Sequence, residues 1–203
     1  MGPTEGRGRS GSGSGSGSRS PLIRRPDGWP PTPPNVHTEA ELACLITMLT
    51  EARSPDRPPI RSVAVGHGRD DASRAAARAF VEAWQPAHGA VLAVVDWPED
   101  AASWLRQARR LTAGAPDAWV VAGAARGWGQ LSRRLLHSTD WRPDRTFAFA
   151  SIGDAAAVGP AVADILDGLR GASADGGGWC LAGGLITRHE PSGRPGLNRA
   201  DLG

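Results

Sequence analysis

Apolar and polar positions alternate with two periods along the middle of the chain. From Ile60 onward, short apolar runs take turns with stretches of helical spacing. Ser62–Gly66, Ala90–Val95, Ala118–Ala122 and Thr146–Ala150 are runs of strand length rich in Val, Ala, Trp and Phe. Ala72–Trp84, Ala101–Leu111, Gln130–Leu136 and Val158–Leu169 repeat apolar residues every three or four positions, the spacing of one helix face. The run Ala90–Val95 is apolar throughout, which suits a strand covered on both faces. Four strand–helix alternations with short connections predict a doubly wound α/β sheet with right-handed crossovers, mostly parallel, of about four to five strands. One helix precedes it. Thr38 and Glu41 match a capping box, and Leu42, Leu45, Ile46 and Leu49 share a face, so order should begin at Thr38 and this helix should end near Arg53. Near the end the pattern changes. Trp179–Leu181, Gly183-Gly184 and Leu185–Thr187 predict a β-hairpin.

The flanks carry neither period. Residues 1–20 contain alternating Gly and Ser, and residues 21–36 hold Pro30, Pro31, Pro33 and Pro34. Composition predicts a disordered tail over 1–37, one α/β lobe over 38–190, and a loose tail over 191–203. All 23 basic residues of the 203 are Arg, against 21 acidic residues. Five Arg fall in residues 1–37 against Glu5 and Asp27, which leaves the lobe close to neutral. A near-neutral lobe predicts no nucleic-acid partner. Cys44 and Cys180 stand far apart and match no ligand spacing, so neither a metal nor a cofactor is expected. No run of 18 apolar residues exists and no apolar signal region opens the chain. As written, the chain is expected in the cytoplasm; a start further upstream would place it outside.

In an open parallel sheet, ligands sit beyond the carboxyl ends of the strands, where helix N-termini also point their amides. Four loops should meet there. They supply His67, Arg69 and Asp70 after the first strand, and Asp96 and Trp97 after the second. Gly123, Ala124 and Arg126 follow the third strand, and Ser151 and Asp154 the fourth. These are the candidate ligand-binding residues. His67 offers a proton or a ligand contact, or is a histidine tolerated between two glycines. Asp70 or Asp71 offers a carboxylate, or an N-cap for the next helix. Asp96 and Trp97 offer an acceptor and a stacking face, or a plain turn. Gly123, Gly127 and Gly129 follow a strand as a dinucleotide fingerprint does and resemble the glycine motif of short-chain dehydrogenases. That family's motif belongs on the first strand, however, and its Tyr-xxx-Lys pair needs residue types this chain lacks altogether. No nucleophile elbow or phosphate loop occurs, so no catalytic residue is assigned.

The order of features resembles the type I periplasmic binding proteins, the branched-chain-amino-acid-type receptors of ABC importers. Asp70-Asp-Ala-Ser-Arg-Ala-Ala-Ala-Arg-Ala-Phe80 is similar to that family's Asp-x-x-Gly-Arg-x-x-x-x-x-Phe helix. His88-Gly89 before a strand, Ala115-Pro-Asp-Ala-Trp-Val-Val-Ala-Gly123, and Leu166-Asp-Gly-Leu-Arg-Gly171 resemble its later segments in the same order. The resemblance covers residues 38–187 and implies one lobe, the second of two. It also implies a small-molecule ligand, amino-acid-like or another anionic solute, and a membrane transporter as partner. Val63-Ala-Val-Gly-His-Gly-Arg-Asp70 also resembles the Gly-His-Gly-Ser-Arg-Asp turn of sirohydrochlorin cobaltochelatases. That resemblance implies metal insertion at His67 and a second His after the third strand, where this sequence has none. A third expectation is an interaction module that docks through its Arg-bearing tail.

Overall fold

The computed structural model describes residues 34–52, 58–153 and 164–191. Residues 1–33 of the tail predicted over 1–37, residues 192–203 of the tail predicted over 191–203, and the first half of the helix predicted over Val158–Leu169 lie outside them. Helix α1 (Glu39–Glu51) opens on the capping box that the sequence predicts. Three βα units and a fourth strand follow: β1 (Ser62–Gly68), α2 (Asp71–Trp84), β2 (Ala90–Trp97), α3 (Leu105–Thr112), β3 (Ala118–Ala122), α4 (Ala125–Ser138) and β4 (Thr146–Ala148). The chain then adds β5 (Arg170–Ala172) and a hairpin of β6 (Gly178–Ala182) and β7 (Leu185–His189). The described residues form one seven-stranded sheet in the order β2-β1-β3-β4-β5-β6-β7. The first five strands in that order are parallel, and β6 and β7 run antiparallel. No described helix is long and apolar enough to cross a membrane.

Helices cover both faces because both faces of the central strands are apolar. Val63, Val65, Val120 and Phe147 point to one side, where Leu45, Leu49, Phe80 and Trp84 of α1 and α2 close a core. Ala64, Val121 and Ala148 point to the other, against Ala108 and Leu111 of α3 and Trp128, Leu131 and Leu135 of α4. Two indoles dominate this second core, Trp97 and Trp179, both buried.

Three elements depart from the sequence expectation. Strand β2 is an edge strand, and Leu92 and Val94 stand 43% and 45% exposed. An apolar run does not distinguish a doubly covered strand from an edge strand; neighbouring strands decide that. The fourth strand, expected over Thr146–Ala150, ends at Ala148, and Ala150–Ile152 form a 3-10 turn. Strand β5 stands where a helix was expected to end. Its Arg-Gly-Ala sequence carries no apolar signature, because small residues are what its place allows. A Cβ on Gly171 would run into the Ala148 carbonyl and stand 2.5 Å from the Trp179 ring.

That crowding predicts different costs for two glycines on the neighbouring strands β5 and β6. Gly171→Ala meets backbone and a locked indole, and should destabilise the fold by about 3 kcal/mol or more, the upper range for overpacking. Gly178→Ala meets only the flexible end of Met48, at 2.7 Å, and should cost far less. Urea unfolding midpoints of the two variants test this.

Candidate functional site

The carboxyl ends of β1 and β3 are shaped by glycines that make room for side chains of the same chain. A Cβ on Gly66 or on Gly123 would stand 2.7 Å from the Trp97 ring. The indole fills that space and is fully buried, so Trp97 presents no face to a ligand. Gly127 and Gly129 lie inside α4, which begins at Ala125, five residues before the predicted start. A Cβ on Gly127 would stand 2.7–2.8 Å from the Glu99 carboxylate. Trp128 is buried against Trp97 and Trp141, with ring centroids 5.8 Å from each. The glycine string is therefore a packing device and not a cradle for a pyrophosphate.

Carboxylates of the chain already occupy the helix starts at this edge. Asp70 is the N-cap of α2, accepting from the Ser73 amide at 2.8 Å and the Ser73 hydroxyl at 2.7 Å. Ala124, the N-cap of α4, supplies no side-chain bond; Glu99 reaches over from the loop after β2 and accepts the Gly127 amide at 2.7 Å. A carboxylate at a helix start is favoured by the free amides and the dipole. Burial pushes the Glu99 carboxyl above its ordinary range. The Gly127 amide pulls it back, the Asp70 charge adds to the push, and Arg126 opposes it. Glu99 Oε1 is buried without a hydrogen-bond partner. A third carboxylate, Glu41, is 3% exposed and accepts the Ala150 amide at 2.5 Å, tying the turn after β4 to α1. Burial pushes this carboxyl up as well, against the amides of Ala150 and Thr38 and the charge of His37. The sequence marks Glu41 only as a capping-box residue, and nothing in the pattern marks Glu99.

The remaining candidates flank these carboxylates. His67 and Asp96 are register partners on β1 and β2. His67 is half-buried, and its Nδ1 lies 2.6 Å from the Gly68 carbonyl, an arrangement in which Nδ1–H donates and Nε2 is left as an acceptor. Arg69 Nε donates to Asp96 Oδ2 at 2.6 Å. The Arg69 hydrogen bond holds the Asp96 carboxyl below its ordinary range. Both side chains face solvent, so the pair is worth less than about 1 kcal/mol and can open to a ligand. Arg126 is half-buried in the first turn of α4, and Ser151 is half-buried beside Ala150. Asp154 lies outside the described residues. The structure thus gathers His67, Arg69 and Asp96 at the β1–β2 edge, and Asp70, Glu99 and Arg126 at the starts of α2 and α4. Ser151 lies beyond β4. Among the described residues, no group of three or more His, Cys, Asp or Glu is placed to hold a metal ion.

A hollow of about 530 Å³ opens at the opposite end of the sheet between the C-termini of α3 and α4. Trp119, Asp117, Arg109, Arg142 and Arg145 line it. Asp117 belongs to the fold: it accepts the amides of Arg61 and Ser62 and the Ser62 hydroxyl, each at 2.9 Å. Burial raises its carboxyl, but these bonds outweigh burial and hold it below its ordinary range. Sequence reasoning missed this hollow because helix ends, not strand-end loops, build it.

The Glu99 environment predicts a sign. A carboxyl whose proton is held more tightly in the folded state costs stability as pH rises through and above its ordinary 4.5. The stability of Glu99→Gln relative to the natural chain should therefore increase between pH 4 and 8, with the Gly127 amide still paired to the Gln carbonyl. Thermal melts across that range check it; a difference that falls or stays flat contradicts it.

No protein-family model matches the sequence, and no curated protein matches it. Solved structures do. A putative branched-chain amino acid ABC transporter from Rhodospirillum rubrum is 19% identical, with a TM-score of 0.50, over 66% of this chain and 37% of that one. An extracellular ligand-binding receptor from Verminephrobacter eiseniae is 16% identical, with a TM-score of 0.52, over 64% and 35%. A solute-binding protein of an ABC transporter from Rhodopseudomonas palustris, solved with 3,4-dihydroxybenzoic acid, is 14% identical, with a TM-score of 0.52, over 66% and 35%. The match spans about a third of each of these chains. Together with the sheet order, these similarities show that the chain has the fold of a single lobe of the type I periplasmic binding proteins.

Proposed function

We propose that this lobe binds a small solute at the carboxyl ends of its parallel strands, as one wall of a cleft completed by a second lobe. The observation that carries this is the grouping of His67, Arg69 and Asp96 at the edge where such sheets hold ligands, with Arg126 beside Glu99 at the start of α4. The likeness to receptor lobes supports it, since those proteins are binding proteins rather than enzymes. Fold alone does not choose a ligand, but the electrostatics narrow the choice. The Ser73 and Gly127 amides are taken by Asp70 and Glu99. An anionic solute, amino-acid-like or aromatic, is therefore held by guanidinium groups, with Arg69 exchanging Asp96 for the solute. A carboxylate aimed at the start of α4 must first displace Glu99. Delivery to a membrane transporter is the natural use of such a domain.

Thermal unfolding with leucine, 3,4-dihydroxybenzoate and a panel of amino acids and organic acids tests the proposal. A solute present at a hundred times its Kd adds about 2.7 kcal/mol, a midpoint rise of several degrees. The rise should shrink in Arg69→Ala and in Arg126→Ala. A panel without any stabilising member, or a rise unchanged in both variants, would count against the site.

A further inference from the structure

The charge of the lobe is near zero in sum but not in space. Helices α3 and α4 together carry six arginines, Arg106, Arg109, Arg110, Arg126, Arg133 and Arg134, and no Asp or Glu. Helices α1 and α2 on the opposite face carry five carboxylates against Arg74 and Arg78. On α3, Ala108 and Leu111 pack inward and Arg106, Arg109 and Arg110 are exposed. On α4, Trp128, Leu131 and Leu135 pack inward and Arg134 is exposed. The two helices pack side by side on the same face of the sheet, so their outer arginines share one surface. None of Arg106, Arg109, Arg110 and Arg134 has an ion-pair partner among the described residues. Arg142, in contrast, is held by Asp144 through two hydrogen bonds.

We infer that this face docks the phosphate backbone of a single-stranded nucleic acid, a function separate from solute binding at the strand ends. The shape of the surface selects the partner. Arg106, Arg109 and Arg110 line a hollow of about 540 Å³ on α3. Arg109 and Ala113 also line the hollow of about 530 Å³ that runs on to Arg142, Arg145 and Trp119. The two hollows adjoin at Arg109 and Ala113, which line both. A flexible phosphate chain can follow arginines spread along these two open hollows. Leu136, at 40%, is the exposed large apolar residue recorded on these helices, too little for membrane insertion. Guanidinium forks suit phosphate oxygens geometrically, and unpaired ones give up no internal bond on docking. The acids in the recess, Asp117 and Asp140, are outnumbered, and Asp117 is engaged by Arg61 and Ser62.

Fluorescence anisotropy of a labelled single-stranded oligothymidylate with the full chain tests this. Four phosphate contacts predict a slope of log K against log salt of about −3 for a single strand. The triple variant Arg106→Gln, Arg109→Gln, Arg110→Gln should lose at least about tenfold in affinity at low salt, and its slope should fall by about 2. Gln keeps the helix propensity of Arg, and an unchanged circular dichroism spectrum shows that the fold is intact. Removing two charges from the opposite face, Arg74→Gln with Arg78→Gln, should leave binding as it is. Binding that persists in the triple variant would assign it to the N-terminal arginines and overturn the inference. So would absent oligonucleotide binding, or binding only to phosphatidylserine vesicles.

Discussion

Two buried indoles set the geometry on which the rest of this lobe depends. Trp97 closes the core between β1 and β3, and Trp179 does so between β4 and β5. Each needs glycine where its ring crosses the backbone, Gly66 and Gly123 for the first, Gly153 and Gly171 for the second. Burying an indole removes some 200 Å² from water, worth roughly 5 kcal/mol as an upper bound. That gain accrues only where the backbone carries no Cβ. The glycines that look like a nucleotide motif are explained by this packing. The same packing fixes where β2 ends, and so where the chain turns at Pro98 to deliver Glu99 to the start of α4.

The carboxyl edge of the sheet consequently differs from an empty anion site. The Asp70, Glu99 and Glu41 carboxylates satisfy amides that would otherwise face a ligand. The arrangement leaves the solvent-facing side chains, Arg69 with Asp96 above all, to meet a solute. It also keeps a partly desolvated acid with an unsatisfied oxygen next to another acid. Recognition by side chains at this edge is easier to retune than recognition by backbone amides, since a single substitution changes the charge presented.

Local signals in the sequence were legible wherever a residue's neighbours along the chain decide its structure. The Thr38–Glu41 capping box, the strand Ala118–Ala122 and the Gly183-Gly184 hairpin are of that kind. What remained hidden depends on neighbours in space. Strand β5 is recognisable only beside Ala148 and Trp179. The exposure of Leu92 and Val94 follows from the place of β2 at the edge. Helix α4 starts inside a glycine string that sequence propensity reads as a loop. Among the candidate site residues, clustering at the strand ends was legible from topology. The burial of Trp97 and the part played by Glu99 were not, because both are decided by a loop folding back onto another unit. The net charge concealed the separation of acidic and basic helices for the same reason.

The central claim is that Glu99 sits on the Gly127 amide at the start of α4 as an intramolecular occupant of the anion position. The most direct measurement is the amide proton shift of Gly127 as a function of pH by NMR. A single titration with its midpoint above 4.5, absent in Glu99→Gln, is the result this account predicts. A shift that is flat with pH, or one that titrates identically in the variant, would contradict it.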